Sequence, residues 1–147
     1  MKKENTVLNN LIETLKDGQE GFKQAAESVR NPALKALFSD YSQQRSCFAA
    51  ALQSEAHSHG ETEPETSSSA TGALHRGWIN LKSAITGGDK HAILAECERG
   101  EDSAVEEYKK ALDDGLSPTA QELVLRQFAE IKAAHDRIKS LRVATKS

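Results

Sequence analysis

The chain has 147 residues, with 19 Lys or Arg against 22 Asp or Glu, and its formal net charge is −3. This near-balance argues against a nucleic-acid-binding protein, because such proteins carry a strongly basic face. No apolar run is long enough to cross a membrane, and the N-terminus MKKENTVLNN lacks the apolar segment of a secretory signal. The length fits one domain over 1–147, and the isolated cysteines Cys47 and Cys97 predict a reducing, cytoplasmic setting without a disulfide framework.

Apolar residues that recur every three or four positions predict four long helices, since this spacing lines one helix face. The predicted helices cover about 5–30, 32–55 and 89–114, and the last one begins at 118. Asn31, Asp89 and Ser117 are the expected N-caps, with Pro32 and Pro118 in the first turns that follow Asn31 and Ser117. Gly18 falls on the apolar stripe of the first helix, where it either permits a close helix approach or is simply tolerated.

The connection between the second and third long helices is much longer than the other two. Residues 57–72 are a polar linker rich in Ser, Thr, Glu, Gly and Pro. A short amphipathic helix follows, with Leu74, Trp78, Leu81 and Ile85 on one side, and Trp78 is expected to anchor it. This connection could run the length of a bundle. The other two connections are short, so the two helices that each of them joins are expected to be antiparallel neighbours. We therefore predict an all-α, ferritin-like antiparallel four-helix bundle whose long crossover carries a short fifth helix.

Several polar residues occupy positions where a bundle core should be apolar, and a buried carboxylate is costly unless it is paired, protonated or bound to a metal. We favour a core polar network in which Arg45 pairs with Glu98 or Glu101. The alternative is a degenerate or mononuclear metal site formed by Glu98, Glu101 and His135. The predicted network comprises six residues, which are Gln19, Gln44, Arg45, Glu98, Glu101 and His135.

A complete di-iron centre is not predicted, because such bundles place Glu on two helices and Glu-x-x-His on the other two. Here Lys132 lies three residues before His135, and Gln44-x-x-Cys47 stands on the second helix. An amide is a poor substitute for a carboxylate, because it brings no charge to the metal. His57-x-His59, with glutamates nearby, is interpreted as a solvated segment at a helix end rather than a metal site.

The segments GALHRGWINLKSAITGGDKHAILAECERGED and AAHDRIKSL resemble a bacterial family of ferritin-like proteins described as a domain of unknown function. The resemblance extends over nearly the whole chain, through LNNLIETLKDGQEGFKQAAE and the stretch that ends in QQRSCFAAALQ. It implies the four-helix architecture of rubrerythrins and ferritins, but it implies no known activity. The chain departs from their Glu-x-x-His pattern on both relevant helices.

Our functional prediction is a non-enzymatic ferritin-like protein with a degenerate metal site and no catalytic or cofactor-binding residues, acting in stress response or in protein association. One alternative is an iron-binding or other metal-binding oxidoreductase of the ferritin and rubrerythrin type, using Glu98, Glu101 and His135. Another is a homodimeric interaction module. No cofactor, nucleic-acid partner or membrane partner is expected under the favoured interpretation.

Overall fold

A computed structural model describes residues 2–58, 78, 80–87 and 89–145, which form five α-helices and no strand within these ranges. The all-α prediction is therefore confirmed, and none of these helices is both long and apolar enough to cross a membrane. Most of the predicted polar linker, Leu74 and His59 lie outside the described residues. The helices are α1 (Lys2–Ser28), α2 (Pro32–Ser58), α3 (Leu81–Gly87), α4 (Lys90–Asp113) and α5 (Pro118–Ala144).

The predicted side-chain caps are present at the starts of α2 and α4, whereas α5 begins at Pro118 without one. The Asn31 side chain accepts a hydrogen bond from the backbone N–H three residues on, at 3.0 Å, and Asp89 accepts one from two residues on, at 3.1 Å. Ser117 is the N-cap of α5 and Pro118 follows it, but the Ser117 hydroxyl does not cap the helix itself. Instead, Glu4 of α1 accepts the Ser117 N–H at 2.6 Å. The Asn31 and Asp89 caps each satisfy a backbone donor that would otherwise lack a partner at the helix start.

The four long helices form a ring in which α1 packs on α2 and α4, α4 packs on α5, and α2 touches α5 more lightly. The beginning of α1 lies beside the end of α4, where Leu11 and Ala111 line one surface. The end of α2 lies beside the beginning of α5, where Thr119 donates to Glu55 at 2.8 Å. Neighbouring helices are therefore antiparallel, and α2 and α4 run in the same direction. Consequently, α2 ends at the opposite end of the ring from the start of α4.

The core consists of two apolar clusters separated by a polar layer. One cluster contains the first half of α1, the second half of α2 and the second half of α4, and α5 adds Val124 and Ile131. The other contains the second half of α1, the first halves of α2 and α4, and Ile138. Between the clusters, the buried positions include Gly18 on α1, Arg45 on α2 and Glu101 on α4.

Trp78 lies before α3 rather than inside it, so the short helix is shorter than predicted. Its indole is only 2% exposed and packs edge-on against Phe22, with ring centroids 5.1 Å apart. Gly21 of α1 and Gly100 of α4 flank the ring, and a Cβ atom on either glycine would overlap it. By contrast, a Cβ at Gly18 would make ordinary contact with Arg45, at 3.6 Å from Cγ. The close approach therefore occurs at Gly21 and Gly100, not at Gly18.

Candidate functional site

The centre of the bundle is occupied by an ion pair between Arg45 and Glu101. The two side chains are 1% and 0% exposed. Arg45 Nη1 donates to Glu101 Oε1 at 2.5 Å, and Nη2 donates to Oε2 at 2.7 Å. This two-pronged geometry is the strongest form of a guanidinium–carboxylate contact. The pair joins α2 and α4, whose backbones lie diagonally across the ring and make no direct contact.

The Arg45 guanidinium makes two further contacts. Its Nε donates to Gln44 Oε1 at 3.1 Å, and the group lies over the Phe22 ring, 5.3 Å from the ring centroid. Burial alone would lower the pKa of Arg45, but the charge and hydrogen bonds of Glu101 outweigh burial and raise the pKa. The arginine is therefore a charged residue of the core that donates three hydrogen bonds.

A second buried hydrogen-bonded group adjoins the ion pair. Tyr108 of α4 donates from its hydroxyl to Gln127 Oε1 of α5 at 2.7 Å, and Gln127 Nε2 donates to the Phe48 carbonyl of α2 at 3.3 Å. Burial raises the pKa of the Tyr108 hydroxyl far above its usual range, although the Arg45 charge acts in the opposite direction. Tyr108 is thus a permanent hydrogen-bond donor, and three helices are linked through polar side chains at this level.

Glu98 and His135 belong to a different group, on the outer side of α4 and α5. Glu98 is 15% exposed and forms an ion pair with Arg142 Nε. His135 Nε2 lies 2.5 Å from Asp102 Oδ1, and its Nδ1 lies 3.1 Å from Asp136 Oδ1. Partial burial lowers the pKa of His135, but hydrogen bonds to Asp136 and Asp102 and their charges raise it overall.

The six residues of the predicted network are therefore divided among three places. Arg45, Glu101 and Gln44 meet in the core. Of the two predicted partners of Arg45, which were Glu98 and Glu101, the structure places Glu101 against it. Glu98 and His135 meet near the surface, where Asp102 completes the group. Gln19 is partly buried in a groove between α1 and α2, and its side-chain oxygen has no hydrogen bond within the described residues.

Sequence reasoning missed Asp102, Gln127 and Tyr108 as members of these groups. Asp102 follows Glu98 by four residues, so both side chains lie on nearly one face of α4. That spacing could have identified Asp102, since Glu101 is rotated further towards the core. Tyr108 lies on the apolar stripe, and a buried tyrosine hydroxyl requires an acceptor.

The residues around Glu101 do not fit a carboxylate-bridged di-iron centre. Both oxygens of Glu101 accept hydrogen bonds from Arg45, and the polar groups near this pair include the Gln44 amide and the Tyr108 phenol. Such a centre needs carboxylates from four helices together with histidines. In the part of the chain that the structure describes, one group of three converging carboxylate and histidine ligands occurs, and it contains Glu98, Asp102 and His135.

Fold and site together define an all-α bundle protein with a charged pair at its centre. The chain matches the family model for a domain of unknown function, DUF2383, over residues 3–114, and it belongs to this family. The matched region contains α4 and most of α1, and both partners of the Arg45–Glu101 pair. No curated protein matches the chain.

Proposed function

We propose that this chain is a non-enzymatic member of the ferritin-like class of bundles, in which the Arg45–Glu101 pair takes the position of a di-iron centre. Two antiparallel helical hairpins, with α2 and α4 running in the same direction, support the ferritin-like assignment. Ferritin-like bundles have this order, because one long connection joins their two hairpins. The family description assigns no activity, so the proposal depends on the core chemistry.

The single observation that carries the proposal is the buried Arg45 guanidinium in the middle of the bundle. In carboxylate-bridged di-iron bundles, the ligands project inward to a site between the helices. Here a fixed positive charge occupies the interior and engages both oxygens of Glu101. A divalent cation at Glu101 would leave Arg45 buried without its counter-ion, at a cost of several kcal/mol. We therefore propose a structural role for the pair.

That role is to hold α2 and α4 in one axial register. Apolar burial is non-directional, so the two apolar clusters alone do not prevent α2 from shifting by one helical turn along the bundle relative to α4. A shift of this kind would separate Arg45 from Glu101 and leave two unpaired charges in the core. Buried polar residues are known to specify register in helical assemblies in this way.

The activity test is an iron-oxidation assay. Ferrous iron is added anaerobically, oxygen is admitted, and ferric iron formation and oxygen uptake are followed against a protein-free control. We expect the rate with protein to equal the control rate, and Glu101→Gln to leave it unchanged. A rate above the control that is lost in Glu101→Gln would instead favour the iron-oxidoreductase alternative.

A homodimer is a second candidate, favoured by two exposed large apolar side chains on α5. Leu125 and Val143 are 48% and 56% exposed. They are 18 residues apart, which is five turns at 3.6 residues per turn, so they share one face of the helix. Sedimentation velocity over a hundredfold concentration range tests this candidate. A concentration-dependent mass that becomes monomeric in Leu125→Glu would support it, and a constant monomer mass would exclude it.

A further inference from the structure

The face formed by α4 and α5 carries a second polar cluster that the core proposal does not use. Glu98 and Asp102 lie one turn apart on α4, and α5 brings His135 against them. One ligand atom from each of the three residues lies within 4.8 Å of the others. Zinc ligands lie about 2.0–2.2 Å from the metal, so two ligand atoms of one tetrahedral ion lie about 3.4 Å apart. Small side-chain rotations would therefore suffice to close the cluster around a cation.

The donor set has the charge and chemistry of a divalent-cation site. Two carboxylates and a neutral imidazole carry a charge of −2, which balances a dication. Oxygen and imidazole donors are common ligands of Zn²⁺, and a site with three protein ligands leaves a position open to water. A surface depression of about 250 Å³ adjoins the cluster, bordered by Glu98, Arg99, Asp102 and Arg142. Solvent and a metal ion can reach the two carboxylates through it.

Asp136 supplies the outer partner that metal-binding histidines normally have. Its Oδ1 lies 3.1 Å from His135 Nδ1, while His135 Nε2 is directed at Asp102. A carboxylate that accepts the Nδ1–H bond orients the imidazole and reserves Nε2 for the metal. Asp136 lies outside the three-residue cluster and is thus a separate observation in favour of a ligand role for Nε2.

We propose that Glu98, Asp102 and His135 bind one divalent transition-metal ion, for which Zn²⁺ is the probe. The ion replaces the proton on His135 Nε2, which is released to solvent, and it displaces Arg142 from Glu98. The site is separate from the centre of the bundle, does not use Glu101 and is independent of the proposed function. Its failure would therefore leave the structural role of the Arg45–Glu101 pair untouched.

The experiment is isothermal titration calorimetry of the full chain, without an affinity tag, using Zn²⁺ alone. His57→Gln/His59→Gln serves as the background, so that the histidine pair near the end of α2 does not contribute. We expect one Zn²⁺ per chain, loss of this site in Asp102→Asn and in His135→Gln, and no change in the exposed α5 control Glu130→Gln. Circular dichroism and thermal unfolding confirm that each variant is folded.

Two further variants distinguish a metal-binding site from a group of residues that only form ion pairs at the surface. Asp136→Asn should weaken Zn²⁺ binding about 10- to 100-fold, the usual effect of removing an outer partner. Arg142→Gln should lower the Kd, because Glu98 then has no competing cation. The proposal is overturned if the background protein binds no Zn²⁺, if binding persists in both Asp102→Asn and His135→Gln, or if Arg142→Gln weakens it.

Discussion

Removing the negative charge of Glu101 tests the buried ion pair most sharply. Glu101→Gln keeps the size of the side chain but leaves the Arg45 guanidinium buried without a counter-ion. Breaking a buried pair in this way costs about 3–5 kcal/mol. The structure supports a value in that range, because two charge-assisted hydrogen bonds are weakened and each contributes about 1.5–3 kcal/mol. Since a domain is stable by only about 5–15 kcal/mol, the effect is large.

The assay is urea unfolding followed by circular dichroism, with the free energy of unfolding as the measured quantity. The matched control is Glu106→Gln, an exposed position on the same helix, which should change stability by less than about 0.5 kcal/mol. Arg45→Met/Glu101→Leu removes both charges and should be more stable than either single variant, because no unpaired charge remains. The reasoning is refuted if Glu101→Gln costs less than about 1 kcal/mol, or if the double variant is the least stable.

Three smaller predictions concern glycines, a buried hydroxyl and the thiols. Gly18→Ala should raise the free energy of unfolding by about 0.5–1 kcal/mol. Gly21→Ala should lower it by about 1–3 kcal/mol, because its Cβ would lie 2.5 Å from the Trp78 ring. Equal effects in urea unfolding would contradict this. Tyr108→Phe should lower the free energy of unfolding by about 1–3 kcal/mol, because the buried Gln127 acceptor loses its donor. An unchanged midpoint of urea unfolding would contradict this prediction. A thiol reagent should label exposed Cys47 rapidly and buried Cys97, whose pKa is raised by burial and nearby glutamates, only after denaturation.

The helices were largely predictable because their signals are local. The apolar spacing and the residues Asn31, Asp89 and Pro118 fix three helix starts without reference to distant parts of the chain. Trp78 was different, because its burial between two glycines depends on how closely α1 and α4 approach. That distance is a property of tertiary packing and has no signature in a single helix pattern.

The candidate sites were predictable only in part, for a geometric reason. Sequence spacing places Glu98 and Glu101 about 60° apart around a helix, so both lie near the inner face. The structure directs Glu101 to Arg45 and leaves Glu98 near Arg142. The choice depends on the rotation of α4 relative to its neighbours, which periodicity defines too coarsely. The nature of the central contact was therefore foreseeable, whereas the division of the polar residues among three places was not.

The measurement that tests the central claim most directly is the iron content of the bundle core. His135→Gln removes the surface cluster, and this variant is dialysed anaerobically against ferrous iron and analysed for metal. The account predicts no stoichiometric iron, because Arg45 occupies both oxygens of Glu101. About two irons per chain, the content of a carboxylate-bridged pair, that disappear when Glu101→Gln is added to a chain still folded by circular dichroism, would contradict it.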